Sequence, residues 1–254
     1  MMKKKVLITG ATGRTGLLVV KKLQTKNNDW QVIPFAKSPT KAEEIFTSTE
    51  NFIFGNILFF EDLTIATQGC DTLIILTSAV PKMISPPFEG KPPEFDFEDR
   101  GKPEEVDWIG QKNQIDAAKQ AGIKHIILVG SMGGTNDNHP LNRLGNGNIL
   151  IWKRKAEEYL INSGIDYTII HAGGLLDKPD GKRELLVGKN DEFLTNPPNN
   201  IPTSIPRGDV ANVVIEALDN PFAKNKVFDL ISKPESENNT LITSDWNNFF
   251  QQIT

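Results

Sequence analysis

The chain has 254 residues, 38% of them hydrophobic, enough to bury the core of one large α/β domain or two small ones. A formal net charge of −4 supplies no global field for nucleic acid or an anionic membrane, and no apolar run is long enough to cross a bilayer. The lone cysteine, Cys70, excludes an internal disulfide, suits a reducing compartment and reads as buried filler ahead of a strand.

Residues 1–5 are basic but run straight into an apolar stretch, so they read as a lead-in and not a signal peptide. That places the protein in the cytoplasm, or in the plastid stroma if a transit peptide has been removed. Val6-Leu7-Ile8 is the first predicted strand, and residues 17–23 the first helix. Between them lies Thr9-Gly10-Ala11-Thr12-Gly13-Arg14-Thr15-Gly16. A strand, a glycine-rich turn and a helix are the context of a dinucleotide-binding loop. Gly10 permits the turn, Gly13 lets a pyrophosphate approach the backbone, and Gly16 lets the helix pack on the strand. The first helical amides have no partner within the helix and are available to phosphate. The spacing is G-x-x-G-x-x-G, not the G-x-G-x-x-G of ordinary dehydrogenases.

The alternation continues. Strands are predicted at 30–35, 51–54, 72–76, 124–129, 167–170 and 227–231. Helices are predicted at 41–46, 63–68, 104–121, 149–161, 209–218 and 245–252. Three segments interrupt the rhythm: a proline-rich, acidic loop at 80–103, a polar loop within 132–148, and an irregular stretch at 172–206 holding one short strand at 184–187. No linker divides the chain, so 1–254 reads as a single domain. The pattern predicts an α/β fold, a Rossmann-like doubly wound parallel sheet, with ligands beyond the carboxyl ends of its strands. The residues following those ends are Gly10, Lys37, Asn56, Thr77, Ser131 and His171.

The end of the second strand selects the dinucleotide. Pro34-Phe35-Ala36-Lys37-Ser38 holds no carboxylate for ribose hydroxyls. Lys37 is available to a 2′-phosphate, Ser38 can donate to it, and Arg14 reaches the same group or stacks on adenine. The expected cofactor is therefore NADP(H).

The loop T-G-A-T-G-R-T-G resembles that of the atypical, NmrA-like branch of the short-chain dehydrogenase/reductase superfamily. Similarity to a plant member of that branch continues through Ile75-Leu76-Thr77-Ser78-Ala79, Val106-Asp107-Trp108-Ile109-Gly110-Gln111, Gly130-Ser131-Met132-Gly133-Gly134 and Ala172-Gly173-Gly174-Leu175-Leu176-Asp177. The resemblance implies a Rossmann core with a small carboxyl-terminal lobe. It implies cofactor contacts from the glycine loop, Lys37, Asn56, the turn Leu76-Thr77-Ser78, Lys153, and the turn Ala172-Gly173-Gly174. Asn56 departs from an aspartate common in relatives, and His171 from an arginine.

The superfamily's reductases place a tyrosine four residues before a lysine on one helix, with a serine after the preceding strand. Ser131 and Lys153 match the serine and the lysine, but the position four before Lys153 is Ile149. Tyr159 and Tyr167 form no such pair. His171 is left as a substitute acid, since imidazole titrates near neutrality. His125 starts a strand, His139 lies in a loop, and no cluster suggests a metal. Two readings stay open at this stage: an NADP-dependent oxidoreductase acting on a small molecule with unconventional proton delivery, and a non-catalytic NADP(H) sensor or partner-docking protein. An epimerase or dehydratase would also need the tyrosine. The chain is expected to be a monomer or homodimer, without membrane insertion.

Overall fold

The apolar runs assemble into one eight-stranded sheet. The computed structural model of the chain describes residues 3–26, 29–88, 90–236 and 241–253; Met1 and Met2 of the basic lead-in lie outside the described residues. The strands are β1 (Lys4–Thr9), β2 (Trp30–Ala36), β3 (Ile53–Phe54), β4 (Thr72–Ile75), β5 (His125–Ser131), β6 (Asp166–Ala172), β7 (Leu185–Gly188) and β8 (Lys226–Ser232). Their spatial order is β7-β8-β6-β5-β4-β1-β2-β3. From β3 to β6 this is the doubly wound order, with its switch point between β1 and β4, where a crevice opens at the carboxyl ends.

The packing follows from the two-residue period of the strands. Val6, Ile8, Ile74, Ile127 and Ile170 face one layer, with Val19, Val20 and Leu23 of α1 (Arg14–Thr25), Val210, Val213 and Val214 of α6 (Arg207–Ala217), and Phe249 and Phe250 of α7 (Trp246–Gln251). Leu7, Leu73, Ile75, Ile126, Leu128 and Ile169 face the other layer, against α3 (Phe60–Thr67), α4 (Gln111–Ala121) and α5 (Ile149–Ile161). Strands covered on both faces read as continuous apolar runs. Each such side chain, fully buried, contributes about 1.5–3 kcal/mol. Cys70 is buried beside this second layer, and burial pushes its thiol up to about 11, as expected of an inert filler. The short α2 (Pro39–Ile45) follows β2.

The structure corrects the sequence reading in four places. The sheet is not wholly parallel: β7 runs antiparallel to β8. Between β6 and β7 the chain stays at the carboxyl end, with no crossover helix to carry it back, so it re-enters the sheet reversed. Segment 80–103 carries a two-stranded ribbon, Lys82–Ser85 against Glu94–Asp96. The predicted helix 104–121 is wound as a π-helix over Glu104–Gly110 before α4 begins. In 172–206, Gly174–Leu176 pairs in parallel with Ser204–Pro206 and forms a second small sheet.

Gly16 shows how tightly β1 and α1 are joined. A Cβ there would stand 2.1 Å from the Gly10 carbonyl oxygen, against backbone that cannot yield. Gly16→Ala is expected to lower unfolding stability by about 3 kcal/mol or prevent folding. Gly164→Ala, in open space at φ +83°, should cost only about 1 kcal/mol. Denaturant unfolding of both variants measures the difference; equal losses would show that the contact has no energetic weight.

Candidate dinucleotide and substrate site

The 10–16 loop connects β1 to α1 at the switch point. Gly10 has φ +69°, and a Cβ there would lie 2.7 Å from the backbone of Leu76, beyond β4. Gly13 is the N-cap of α1 and supplies no side-chain cap. The amides of Arg14, Thr15 and Gly16 therefore open the helix without partners inside it. A cradle with no side chain at its centre, several free N–H donors and the positive end of a twelve-residue helix fits a diphosphate. Ala11 is fully buried, and its amide donates to the Phe35 carbonyl at 3.4 Å, fixing the loop to β2.

Beneath the loop lies a buried polar chain that joins Thr77, a predicted site residue, to Thr9, Gln111 and Gln114, which the sequence reading did not single out. The Thr9 hydroxyl donates to Gln114 Oε1 at 2.6 Å, and Gln114 Nε2 donates to Thr77 Oγ1 at 3.2 Å and to the Gly110 carbonyl at 2.9 Å. Gln111 Nε2 reaches the Thr77 carbonyl at 3.4 Å, and Asn113 Nδ2 the Ile57 carbonyl at 3.1 Å. These amides tie α4 to the end of β1 and to the segments following β3 and β4. Thr77 is thereby committed to the scaffold through its side chain. The visible signal was Gln111 and Gln114, polar residues three apart on a helix face that the period assigns to the core.

The adenosine-side residues are placed as follows. Lys37 is exposed just past β2 and has no ion pair among the described residues. Ser38 caps α2: its Oγ accepts from the Lys41 amide at 3.2 Å. Asn56 Oδ1 accepts from the Leu58 amide at 3.0 Å, so the side chain shapes a turn. Arg14 differs from expectation. Its guanidinium meets Asp177, whose carboxylate also takes Arg207 Nη1 at 2.7 Å. An exposed guanidinium takes the carboxylate brought to it across the loop mouth.

Past the loop the strand ends enclose a cleft of about 520 Å³, lined among others by Thr15, Leu76, Ser78, Ser131, Lys153, Ala172, Gly173 and Gly174. Its outer walls are apolar: Phe97, Met132, Leu141, Leu144, Leu175 and Leu194. Register places Ser131 beside Ala172, so the turn Ala172-Gly173-Gly174 starts at the serine's level. Gly173 is constrained to be small by the Thr203 carbonyl, which a Cβ would approach to 2.7 Å. Ser131 Oγ donates to the Met132 carbonyl at 3.0 Å. Lys153, on α5, is largely buried; its Nζ lies 2.7 Å from Asp107 Oδ1 and 3.0 Å from Ser78 Oγ. Ile149, one turn earlier, lines the same cleft, and no tyrosine is among its lining residues.

His171 does not face the cleft, contrary to its reading as a substitute acid. It is 2% exposed, with Nδ1 3.2 Å from Asp229 and Nε2 3.0 Å from Glu157. Its place on β6 turns the ring inward, under α5, because adjacent strand residues point to opposite faces. Arg154 Nη1 lies 3.0 Å from both Glu157 Oε2 and His171 Nε2, and the Asp191 amide donates to Asp229 at 2.7 Å. Asp191 in turn accepts from the Gly133 and Thr135 amides at 2.7 and 2.8 Å. The cluster therefore anchors two segments flanking the cleft. Burial opposes a charge on His171, but hydrogen bonds to Asp229 and Glu157 outweigh it and raise the imidazole to about 9.

A doubly wound sheet with a side-chain-free amide cradle at its switch point defines a dinucleotide-binding protein. The chain belongs to the NAD(P)H-binding family, which it matches over residues 10–221. It is 53% identical over 251 residues to an uncharacterised chloroplastic protein of Arabidopsis thaliana, covering 98% of this chain and 75% of the relative. It is 46% identical to sanguinarine reductase of Eschscholzia californica, covering 98% of this chain and 96% of that one. Among solved structures, an NAD-dependent epimerase/dehydratase family protein of Bacillus halodurans superposes with TM-score 0.72 at 22% identity, covering 98% and 100% of the two chains, and shares the fold.

The His171 cluster carries a pH signature. The folded value near 9 exceeds the ordinary 6.5, so the contribution is fully present below about pH 6.5 and is lost as pH rises through about 9. Denaturant unfolding should show stability falling across that window by on the order of 3 kcal/mol. His171→Gln should flatten the slope. An unchanged slope in the variant would rule out this histidine as its source.

Proposed function

We propose that the protein is an NADP(H)-dependent reductase of an apolar electrophile, working without a tyrosine acid. The observation that carries this reading is that Thr15 and Gly173 open onto the same cleft as Ser131 and Lys153, while Ile149 occupies the position four residues before the lysine. When bound, a nicotinamide supplies hydride; the protein supplies orientation and a dry pocket. The cradle amides would hold the diphosphate, Lys153 Nζ the nicotinamide ribose hydroxyls, and the turns at 76–78 and 172–174 would contribute further contacts. Lys37, with no carboxylate between Pro34 and Ser38, favours the 2′-phosphorylated form.

An isoleucine donates no proton. The suitable acceptor is therefore one that needs none from the protein: a quinone, whose reduced anion water protonates, or an iminium cation, which hydride neutralises. Phe97, Met132, Leu141 and Leu194 suit a flat apolar ring system. The 46% identity to a reductase supports this reading, and the chloroplastic relative favours the plastid over the cytoplasm. Ile149 also favours a non-catalytic sensor, but the open cleft beside the lysine speaks for turnover.

By calorimetry, NADPH should bind at least about tenfold more tightly than NADH, and Lys37→Glu should remove the preference. Equal affinities would refute the cofactor assignment. NADPH oxidation with quinones and iminium cations, followed by absorbance, should fall about a hundredfold in Lys153→Ala and persist in Ile149→Ala. Tight binding with no turnover of either class would establish the sensor instead.

A further inference from the structure

Asp107 is a fully buried carboxylate behind Lys153, which lines the cleft, and it stands on the π-helical turn Glu104–Gly110. It is 0% exposed. One oxygen meets Lys153 Nζ at 2.7 Å, and the other accepts from the Ala79 amide at 3.0 Å. Ser78 Oγ, 3.0 Å from the same ammonium, completes the arrangement. A carboxylate without water is costly unless paired and hydrogen-bonded, and here both conditions are met. π-Turns recur at functional positions because they displace one residue from the helical register.

We propose that Asp107 is a positioning residue for Lys153: its carboxylate fixes the ammonium at the cleft wall, ready to hold the nicotinamide ribose. The assignment of that ribose contact rests on the reductase reading above; the pairing itself does not.

The surroundings leave Asp107 as the one carboxylate engaged with Lys153 among the described residues. On the same turn, Glu105 accepts from the Lys102 amide and Glu104 is exposed. On α4, Lys112 and Asp116 pair with each other. On α5, Arg154 and Glu157 belong to the His171 cluster, and Lys155 lies over the Trp108 ring at 4.4 Å. His139 and Arg207 line other walls of the cleft, and Arg143 is on the exposed turn beside α5. Burial acts to raise the Asp107 carboxyl; Lys153, the Ala79 amide and Ser78 act to lower it, and burial prevails.

The test uses the full chain without cofactor. Lys153 and the exposed Lys124 are labelled with acetic anhydride from about pH 6 to about pH 10, and peptide mass spectrometry reads the rates. In Asp107→Asn, Lys153 should react about tenfold faster near neutral pH than in the wild type, with the midpoint of its profile moved to lower pH, while Lys124 is unchanged. Asp107→Glu should restore most of the wild-type profile. A uniform rise in rate with no midpoint shift would mean loosening, and would overturn the proposal, as would identical profiles. Should Asp107→Asn not fold, the double variant Asp107→Asn/Lys153→Met decides: recovery of folding supports the pairing, and failure overturns it. In parallel, NADPH titrated into Asp107→Asn should bind about tenfold more weakly as pH rises above neutral. A wild type that binds no NADPH would defeat the reductase reading while leaving the labelling result to judge Asp107.

Discussion

Three backbone segments meet at the end of β1 more closely than side chains would allow. Gly10 lies against the Leu76 backbone, and Gly16 lies over the Gly10 carbonyl. The first contact sets the width of the crevice between β1 and β4. The second sets the angle at which α1 leaves the sheet, and so the direction of its unpaired amides. The pieces of the candidate site take their positions from these contacts. A methyl group at either position would move the helix terminus relative to the strand ends, and with it the charge that the loop offers an anion.

That geometry is held from below by amide side chains. Gln111, Asn113 and Gln114 satisfy carbonyls and hydroxyls at the end of β1 and on the segments after β3 and β4. Buried polar networks of this kind specify one arrangement, because each alternative leaves a donor or acceptor without a partner. On the far side of the cleft, the cluster around His171 does the same for the 133–135 and 189–191 segments. The cleft is thus bounded by two polar scaffolds, with an apolar chamber between them. Such a division suits a site that grips a charged cofactor at one end and excludes water at the other.

Much of this was legible in the residues. Continuous runs such as Leu73-Ile74-Ile75 can only be strands covered on both faces, and the glycine spacing between Val6 and Leu17 fixes the first turn. Ser131 and Lys153 were placed by spacing, and they do share one cleft. What sequence could not give was direction. His171 follows a strand predicted to end at the ligand, yet one residue of alternation turns it into the core. Arg14 and Asp177 are 163 positions apart, and only the tertiary fold brings them together. Asp107 lies in one of the stretches that carry the resemblance, but its inward placement depends on a wide helical turn that no periodicity announces. The reversed edge strand β7 escaped for a similar reason: a short apolar run does not carry its own orientation.

The wide turn has an evolutionary consequence. A residue in an α-helix advances the chain by about 100°, so losing one codon within 108–110 would rotate Asp107 away from its partner while leaving α4 in place. Length change is then a second genetic route, beside replacement of Asp107 itself, to a version of this fold with an unclamped lysine. Homologues that differ by a single deletion here would be expected to have diverged in chemistry even where the lining of the cleft is identical.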